Sequence, residues 1–231
     1  MSKILVKKYY SAAGQKEWRR LAKDPYHRLE FETTLFFLKK YLPKKALILD
    51  AGGGPGRYTI ELAKAGHEMI LLDLTPELLI VAKKQIKKAG VESRVKKVLQ
   101  GSIDDLSVFK DNTFDAVVCL GGPLSHLVNR REREKAISEL NRVVKRGGLL
   151  FVSVIGRLAV LSNELVYFPQ EIENKRVFQS VRDTGDYAGG YGFTACHFFL
   201  PEELKKTFKE RGVRVLEMAG LEGLASSHAK E

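Results

Sequence analysis

The sequence predicts a doubly wound α/β domain: a mostly parallel sheet with helices on both faces, an N-terminal helical cover and a lid insertion after the fifth strand. Three observations carry this. Short apolar runs alternate with stretches of helical periodicity. A glycine cluster, Gly52-Gly53-Gly54-Pro55-Gly56, follows the first run. The first two runs each end in an acid, Asp50 and Asp73. Residues 1–45 then form an N-terminal helical segment, and residues 46–231 form the α/β domain with an insertion at about 156–192.

The elements follow in chain order. Lys16 to Tyr41 shows apolar residues at helical spacing (Trp18, Leu21, Leu29, Leu35, Leu38), interrupted at Asp24-Pro25, and so predicts two helices joined by a turn. Ala46 to Leu49 is a buried strand bounded by Pro43 and the glycines. Thr59 to Ala65 returns to helical spacing, and Met69 to Leu72 is the second strand. Thr75 as cap, Pro76 in the first turn and Gly90 at the end delimit the next helix. Val95 to Leu99 and Phe114 to Leu120 are strands three and four, Arg130 to Lys145 a helix, and Leu149 to Ile155 strand five. Gly156 to Gly192 has no clear period, too long a stretch for a plain loop in such a domain. Pro201 to Arg211 is a last helix, and Val213 to Met218 a last strand.

Composition narrows the class. The chain has 231 residues, 44% apolar and 29% charged, which fits a globular domain with a full core and excludes a disordered chain. No apolar run approaches the roughly 18 residues of a membrane span. No apolar segment follows Lys3, Lys7 and Lys8, so no secretory signal is expected and a cytoplasmic location is. Cys119 and Cys196 lack the spacing of a zinc site or a disulfide framework, so no metal is expected. The net charge is +11, and residues 1–45 hold 12 Lys/Arg against 4 Asp/Glu. With only 5 Asn and 5 Gln beside abundant Lys and Glu, the composition also suits a heat-adapted protein whose lysines are solvated.

The glycine segment is the strongest chemical signal. In Leu47-Ile48-Leu49-Asp50-Ala51-Gly52-Gly53-Gly54-Pro55-Gly56-Arg57 the glycines at 52, 54 and 56 follow an acid. The dinucleotide pattern G-x-G-x-x-G fails from either Gly52 or Gly54, and no Gly-Lys completes a phosphate loop. An acid at the strand tip repels a pyrophosphate but attracts a cation, and glycines admit close backbone approach. Asp73, ending the second strand, suits a pair of ribose hydroxyls.

These segments resemble the class I S-adenosylmethionine-dependent methyltransferases, and within them the small-molecule group often labelled ubiquinone/menaquinone-type, in a poorly characterised bacterial and archaeal branch. Leu47 to Arg57 resembles their first motif, Leu71-Leu72-Asp73-Leu74-Thr75 the second, Phe114 to Gly121 the fourth-strand motif, and Arg142 to Leu149 the approach to strand five. The resemblance implies a Rossmann-like fold, S-adenosyl-L-methionine as cofactor and a methyl acceptor. It implies cofactor contacts at Asp50, Ala51, Gly52, Gly54 and Gly56, with Asp73 on the ribose, Leu74 on the adenine and Leu120 beside the methionine portion. The family's usual Gly-Asp is Gly101-Ser102 here, which leaves Ser102, the Ile103 backbone amide and Asp104 as candidates for the adenine contact.

Arg28 is the candidate partner of the cofactor carboxylate, Tyr9 and Tyr10 precede the first helix and line the pocket, and His126 is the candidate base. Tyr187, Tyr191 and His197 lie where acceptor specificity is expected. Three readings follow: a small-molecule methyltransferase, monomer or homodimer; an enzyme of transfer RNA, favoured by the basic, aromatic N-terminal segment; or a non-catalytic cofactor-binding protein acting through a partner. The resemblance implies a sheet that ends in an antiparallel hairpin, for which Val213 to Met218 offers one strand and Leu224 to Ser227 no evident partner, so either Phe193 to Phe199 supplies an unusual edge or the last strand is absent.

Overall fold

The computed structural model describes residues 2–167, 169–190 and 193–222. Helices α1 (Ser2–Arg20) and α2 (Pro25–Tyr41) precede β1 (Leu47–Ala51), α3 (Arg57–Lys64), β2 (Glu68–Asp73), α4 (Pro76–Lys88), β3 (Val95–Gln100), β4 (Phe114–Cys119), α5 (Arg130–Val143) and β5 (Val144–Val152). The five strands form one parallel sheet in the order β3-β2-β1-β4-β5. The order reverses between β1 and β4, which opens a crevice at their C-terminal ends.

The three central strands β2, β1 and β4 are buried on both faces, and their alternation sorts two cores. Leu49, Ala51, Ile70, Leu72, Val117 and Cys119 pack with Ala136, Ile137 and Leu140 of α5. Ile48, Met69, Leu71, Ala116 and Val118 pack with Leu38 of α2, Ile60 and Leu62 of α3 and Ala82 of α4. Continuous apolar runs are what a parallel sheet covered on both sides requires. Cys119 is a core residue, and burial pushes its thiol up to about 12, so it is no nucleophile.

The turn at Asp24-Pro25 is where the sequence puts it. The Asp24 side chain accepts the His27 N–H at 2.8 Å, and Pro25 opens α2. The helix before it is longer than predicted. It begins at Ser2, kinks at Gly14 (φ 39, ψ −116) and contains Tyr9 and Tyr10. Its apolar residues do not form one core stripe: Val6 is buried while Ile4 and Leu5 are exposed. That blunts the periodicity from which a helix is read.

Strand five also starts early, at Val144. The register shifts between Phe114 and Ala116, and Arg146-Gly147-Gly148 is absorbed there as an irregularity. A Cβ at Gly148 would lie 2.7 Å from the Asp115 carbonyl oxygen, so the close approach of β4 needs a glycine.

Residues 156–192, without a period in the sequence, are largely helical: α6 (Arg157–Tyr167), α7 (Pro169–Glu173) and α8 (Lys175–Asp183), followed by β6 (Asp186–Tyr187). β6 pairs antiparallel with β7 (Cys196–His197), apart from the main sheet, and α9 (Pro201–Glu210) follows. The predicted strand Val213 to Met218 does not form. Val213 and Val215 turn onto the core, Arg214 and Leu216 outward, and Glu217 accepts hydrogen bonds from Lys40 and Tyr41. Alternation reports one-sided burial, and here the burial comes without a ladder. Leu224 to Ser227 lies outside the described residues, and among those described the sheet has no antiparallel strand.

Candidate functional site

A cleft opens at the C-terminal ends of the central strands. Its floor is the loop Gly52-Gly53-Gly54 with Pro55, its walls are Asp73-Leu74-Thr75, Gly101-Ser102-Ile103 and Leu120-Gly121, and α1 lies across it. Lys3, Val6, Tyr10, Glu17, Arg20 and Leu21 of α1 and its end face the cleft.

The loop owes its path to missing side chains. Gly52, with φ 81, lies so close to Pro123 that a Cβ would sit 2.5 Å from the Pro123 Cγ. A Cβ at Gly53 would overlap the Asp50 carboxyl and Leu71. Asp73 staples the loop to β2: its Oδ2 accepts the Gly54 N–H and its Oδ1 the Thr75 N–H, both at 2.8 Å. Burial raises the Asp73 pKa, and the two N–H donors oppose that rise.

Asp50 does not face the cleft. It lies beneath Gly53 with 0% exposure, and its Oδ2 accepts the Thr59 hydroxyl at 2.5 Å while Oδ1 is buried without a partner among the described residues. Burial pushes its carboxyl up to about 7; the Thr59 bond opposes this and the charge of Asp73 adds to it. The expected direct attraction of a cation at the strand tip is therefore not seen. Between about pH 4, where an unfolded aspartate ionises, and about pH 7 the folded chain retains a proton that the unfolded chain has lost, so stability falls as pH rises through that window. Asp50→Asn is expected to remove the slope. Urea midpoints at pH 4.5 and 8 should show the variant gaining on the parent at pH 8 by up to about 4 kcal/mol; the same difference at both pH values would refute this.

His126 reaches the cleft from the loop after β4, 6% exposed. Its Nδ1 faces the Ala195 carbonyl oxygen at 3.2 Å, an acceptor only, so Nδ1 carries the ring proton. Nε2 then accepts the Tyr10 hydroxyl at 2.8 Å. Burial lowers the His126 pKa to about 4, so the ring is neutral at pH 7. The Tyr10 phenol is pushed up by burial and keeps its proton. Thus Tyr10 stands in front of His126, and the expected base is a neutral acceptor behind a phenol.

Among the sequence candidates, Gly52, Gly54, Asp73, Leu74, Ser102, Ile103, Leu120, Tyr10 and His126 line the cleft. Ala51 and Gly56 do not: Ala51 is in the core, and Gly56 caps α3 with φ 80. Arg28 is exposed on α2, and Arg20 lies at the cleft instead. Asp104 is turned to Lys3 at 2.5 Å and to the Ser102 hydroxyl, and does not line the cleft. Tyr187 and His197 are buried and do not line it, His197 held between Asp186 and Glu203 at 2.6 Å each; Tyr191 lies outside the described residues.

The sequence reading missed Glu17, Arg20 and Arg57. Arg20 donates to Glu17 at 2.8 Å and to Glu30 at 2.5 Å. Burial works against its charge, yet Glu30 and Glu17 hold its pKa above the ordinary arginine value. A signal was present for Glu17 and Arg20: Lys3, Val6 and Tyr10 before the kink, and Glu17, Arg20 and Leu21 after it, recur at three- or four-residue steps that mix apolar and charged side chains.

The fold and the cleft define a doubly wound α/β domain with a covered cleft at its glycine loop. Residues 48–148 match a family described as a methyltransferase domain. A glycine/sarcosine N-methyltransferase of Parasynechococcus marenigrum is 31% identical over 137 residues, 58% of this chain and 46% of that protein. A ubiquinone biosynthesis O-methyltransferase of Xanthomonas axonopodis pv. citri is 31% identical over 150 residues, 62% of this chain and 59% of that protein. The chain spans about half the length of these curated relatives. A solved S-adenosylmethionine-dependent methyltransferase of Methanosarcina mazei shares the fold, with TM-score 0.61, 23% identity and coverage of 76% of this chain and 82% of that one. Over residues 48–148 the chain is thus similar to S-adenosylmethionine-dependent methyltransferases, and its fold is theirs. Among the described residues, no helix is long and apolar enough to cross a membrane.

Proposed function

We propose that the protein transfers a methyl group from S-adenosylmethionine to a small-molecule acceptor, with residues 1–45 as a helical cap and residues 156–192 as a lid. The observation that carries the reading is the covered cleft: a glycine floor and the Asp73 carboxylate on one side, the α1 face on the other. The residues present fit the cofactor. Gly52 and Gly53 pack so tightly on Pro123, Asp50 and Leu71 that bare backbone floors the cleft, Asp73 offers a carboxylate for a ribose, and Leu74 and Ile103 offer apolar flanks for an adenine.

Bound S-adenosylmethionine supplies an electrophilic methyl group. The chain's own work is positioning and exclusion of water. Leu120 and Gly121 would flank the methionine portion, and α1 lies across the cleft. The Tyr10 hydroxyl, its proton directed to His126 Nε2, keeps its oxygen lone pairs for a donor group on the acceptor. His126 acts on Tyr10 as a positioning residue.

Two cations of the basic N-terminal segment, Lys3 and Arg20, face the cleft and are paired with acids there, which supports a small acceptor over a polyanion. The test incubates the protein with methyl-labelled S-adenosylmethionine and either a metabolite extract or bulk transfer RNA. Label in the metabolite fraction is expected. Label in RNA that falls steeply with salt would move the reading to RNA. Tight cofactor binding with no label in either would favour a non-catalytic protein acting through a partner.

A further inference from the structure

Three permanent cations line the cleft, Lys3, Arg20 and Arg57. Two are neutralised: Lys3 by Asp104 at 2.5 Å, and Arg20 by Glu17 at 2.8 Å and Glu30 at 2.5 Å. Arg57 has no carboxylate within ion-pair distance among the described residues. Its guanidinium carbon lies 3.8 Å from the centroid of the Trp18 ring, and its Nη2 donates to the Trp18 carbonyl. Its Nε–H is buried and has no acceptor among the described residues.

This arrangement carries a free-energy cost. A guanidinium taken partly out of water with Glu61 near but no carboxylate in ion-pair contact costs free energy, and an N–H without an acceptor adds to the cost. Stacking on Trp18 offsets some of it and fixes the plane of the fork. What is left is a pre-oriented donor beside the glycine floor, short of one planar anion. A carboxylate is the group whose two oxygens match that fork.

We propose that Arg57, held flat on Trp18, receives the carboxylate of the cofactor's amino-acid portion. The inference rests on the cofactor reading of the cleft and adds to it the residue that distinguishes the complete cofactor from one lacking that carboxylate. Arg57 directly follows the glycine segment that floors the cleft, which places it at the cofactor and away from the acceptor side marked by Tyr10 and His126.

The test compares S-adenosylmethionine with decarboxylated S-adenosylmethionine, by calorimetric binding and by tryptophan emission. Trp18 is the chain's single tryptophan, so its emission reports this site alone. The parent protein is expected to bind the complete cofactor about ten- to a hundredfold more tightly, the scale of a charged hydrogen-bonded pair. Its Trp18 emission should shift with the complete cofactor and little with the decarboxylated one. In Arg57→Met the preference should fall to near one, through loss of affinity for the complete cofactor alone, while Arg57→Lys should keep part of it. Circular dichroism and a melting curve confirm that each variant folds. An unchanged preference in Arg57→Met would overturn the proposal and point to a carboxylate on the acceptor as the anion at Arg57. Equal weakening of both ligands would overturn it too, leaving Arg57 a scaffold for the loop. If the parent binds neither ligand, the cofactor reading itself fails and the proposal with it.

Discussion

Asp73→Asn is expected to weaken S-adenosylmethionine binding by a hundredfold or more, on the order of 3 kcal/mol. The reason lies in the two backbone bonds already made. One carboxylate oxygen accepts the Gly54 N–H and the other the Thr75 N–H, so both ends of the cleft wall hang on this side chain. An asparagine keeps one acceptor and replaces the other with an NH2, which then faces an N–H. Donor meets donor, and either Gly54 or Thr75 must swing away. The loop floor moves and the ribose acceptors are lost together, so the variant should lose binding and also about 1–2 kcal/mol of stability. Calorimetry gives the first and urea unfolding the second. Near-parental affinity in Asp73→Asn would mean that the ribose is not held at the end of β2.

Arg20→Met should produce the largest loss of stability outside the apolar core, about 3 kcal/mol by urea unfolding. Glu30 is 8% exposed and lies on α2, while Arg20 ends α1. Removing the guanidinium strands the Glu30 carboxylate in a buried position with its hydrogen bonds unmade, and it frees the end of α1 that lies at the cleft. Methionine keeps much of the volume, so the loss reports charge and hydrogen bonding. The double variant Arg20→Met/Glu30→Leu should recover a substantial part of the loss, because an apolar pair carries no buried unpaired charge. Equal instability of the single and double variants would show that the arginine matters through packing alone. The single variant should also bind cofactor faster and release it faster in stopped-flow traces, since α1 then loses an anchor.

The sheet was legible because its signal is local. Ile48-Leu49 before Asp50, and Ile70-Leu71-Leu72 before Asp73, are apolar on consecutive positions, which only a strand covered on both faces demands. The cleft's floor and ribose wall were legible for the same reason: the glycines and Asp73 lie in short contiguous segments whose backbone demands are written in the residue types. Strand five shows the limit, since its first residues hide in an irregularity that exists only because Asp115 of a neighbouring strand comes close to Gly148.

What the sequence by itself determined is the doubly wound α/β class, the glycine floor and Asp73 at the cleft. What tertiary structure alone decided is which charges are consumed and which are left. Asp50 reads as a ligand-facing acid but is roofed by Gly53, and Arg28 reads as a carboxylate partner but is exposed on α2 outside the cleft, while Arg20 and Arg57 come to the cleft. His126 reads as a base but sits neutral behind Tyr10, a residue 116 positions away in the chain. The physical reason is that strand burial and loop conformation depend on neighbours a few residues apart. The protonation and pairing of a side chain depend on desolvation and on partners that the chain brings together only when it folds.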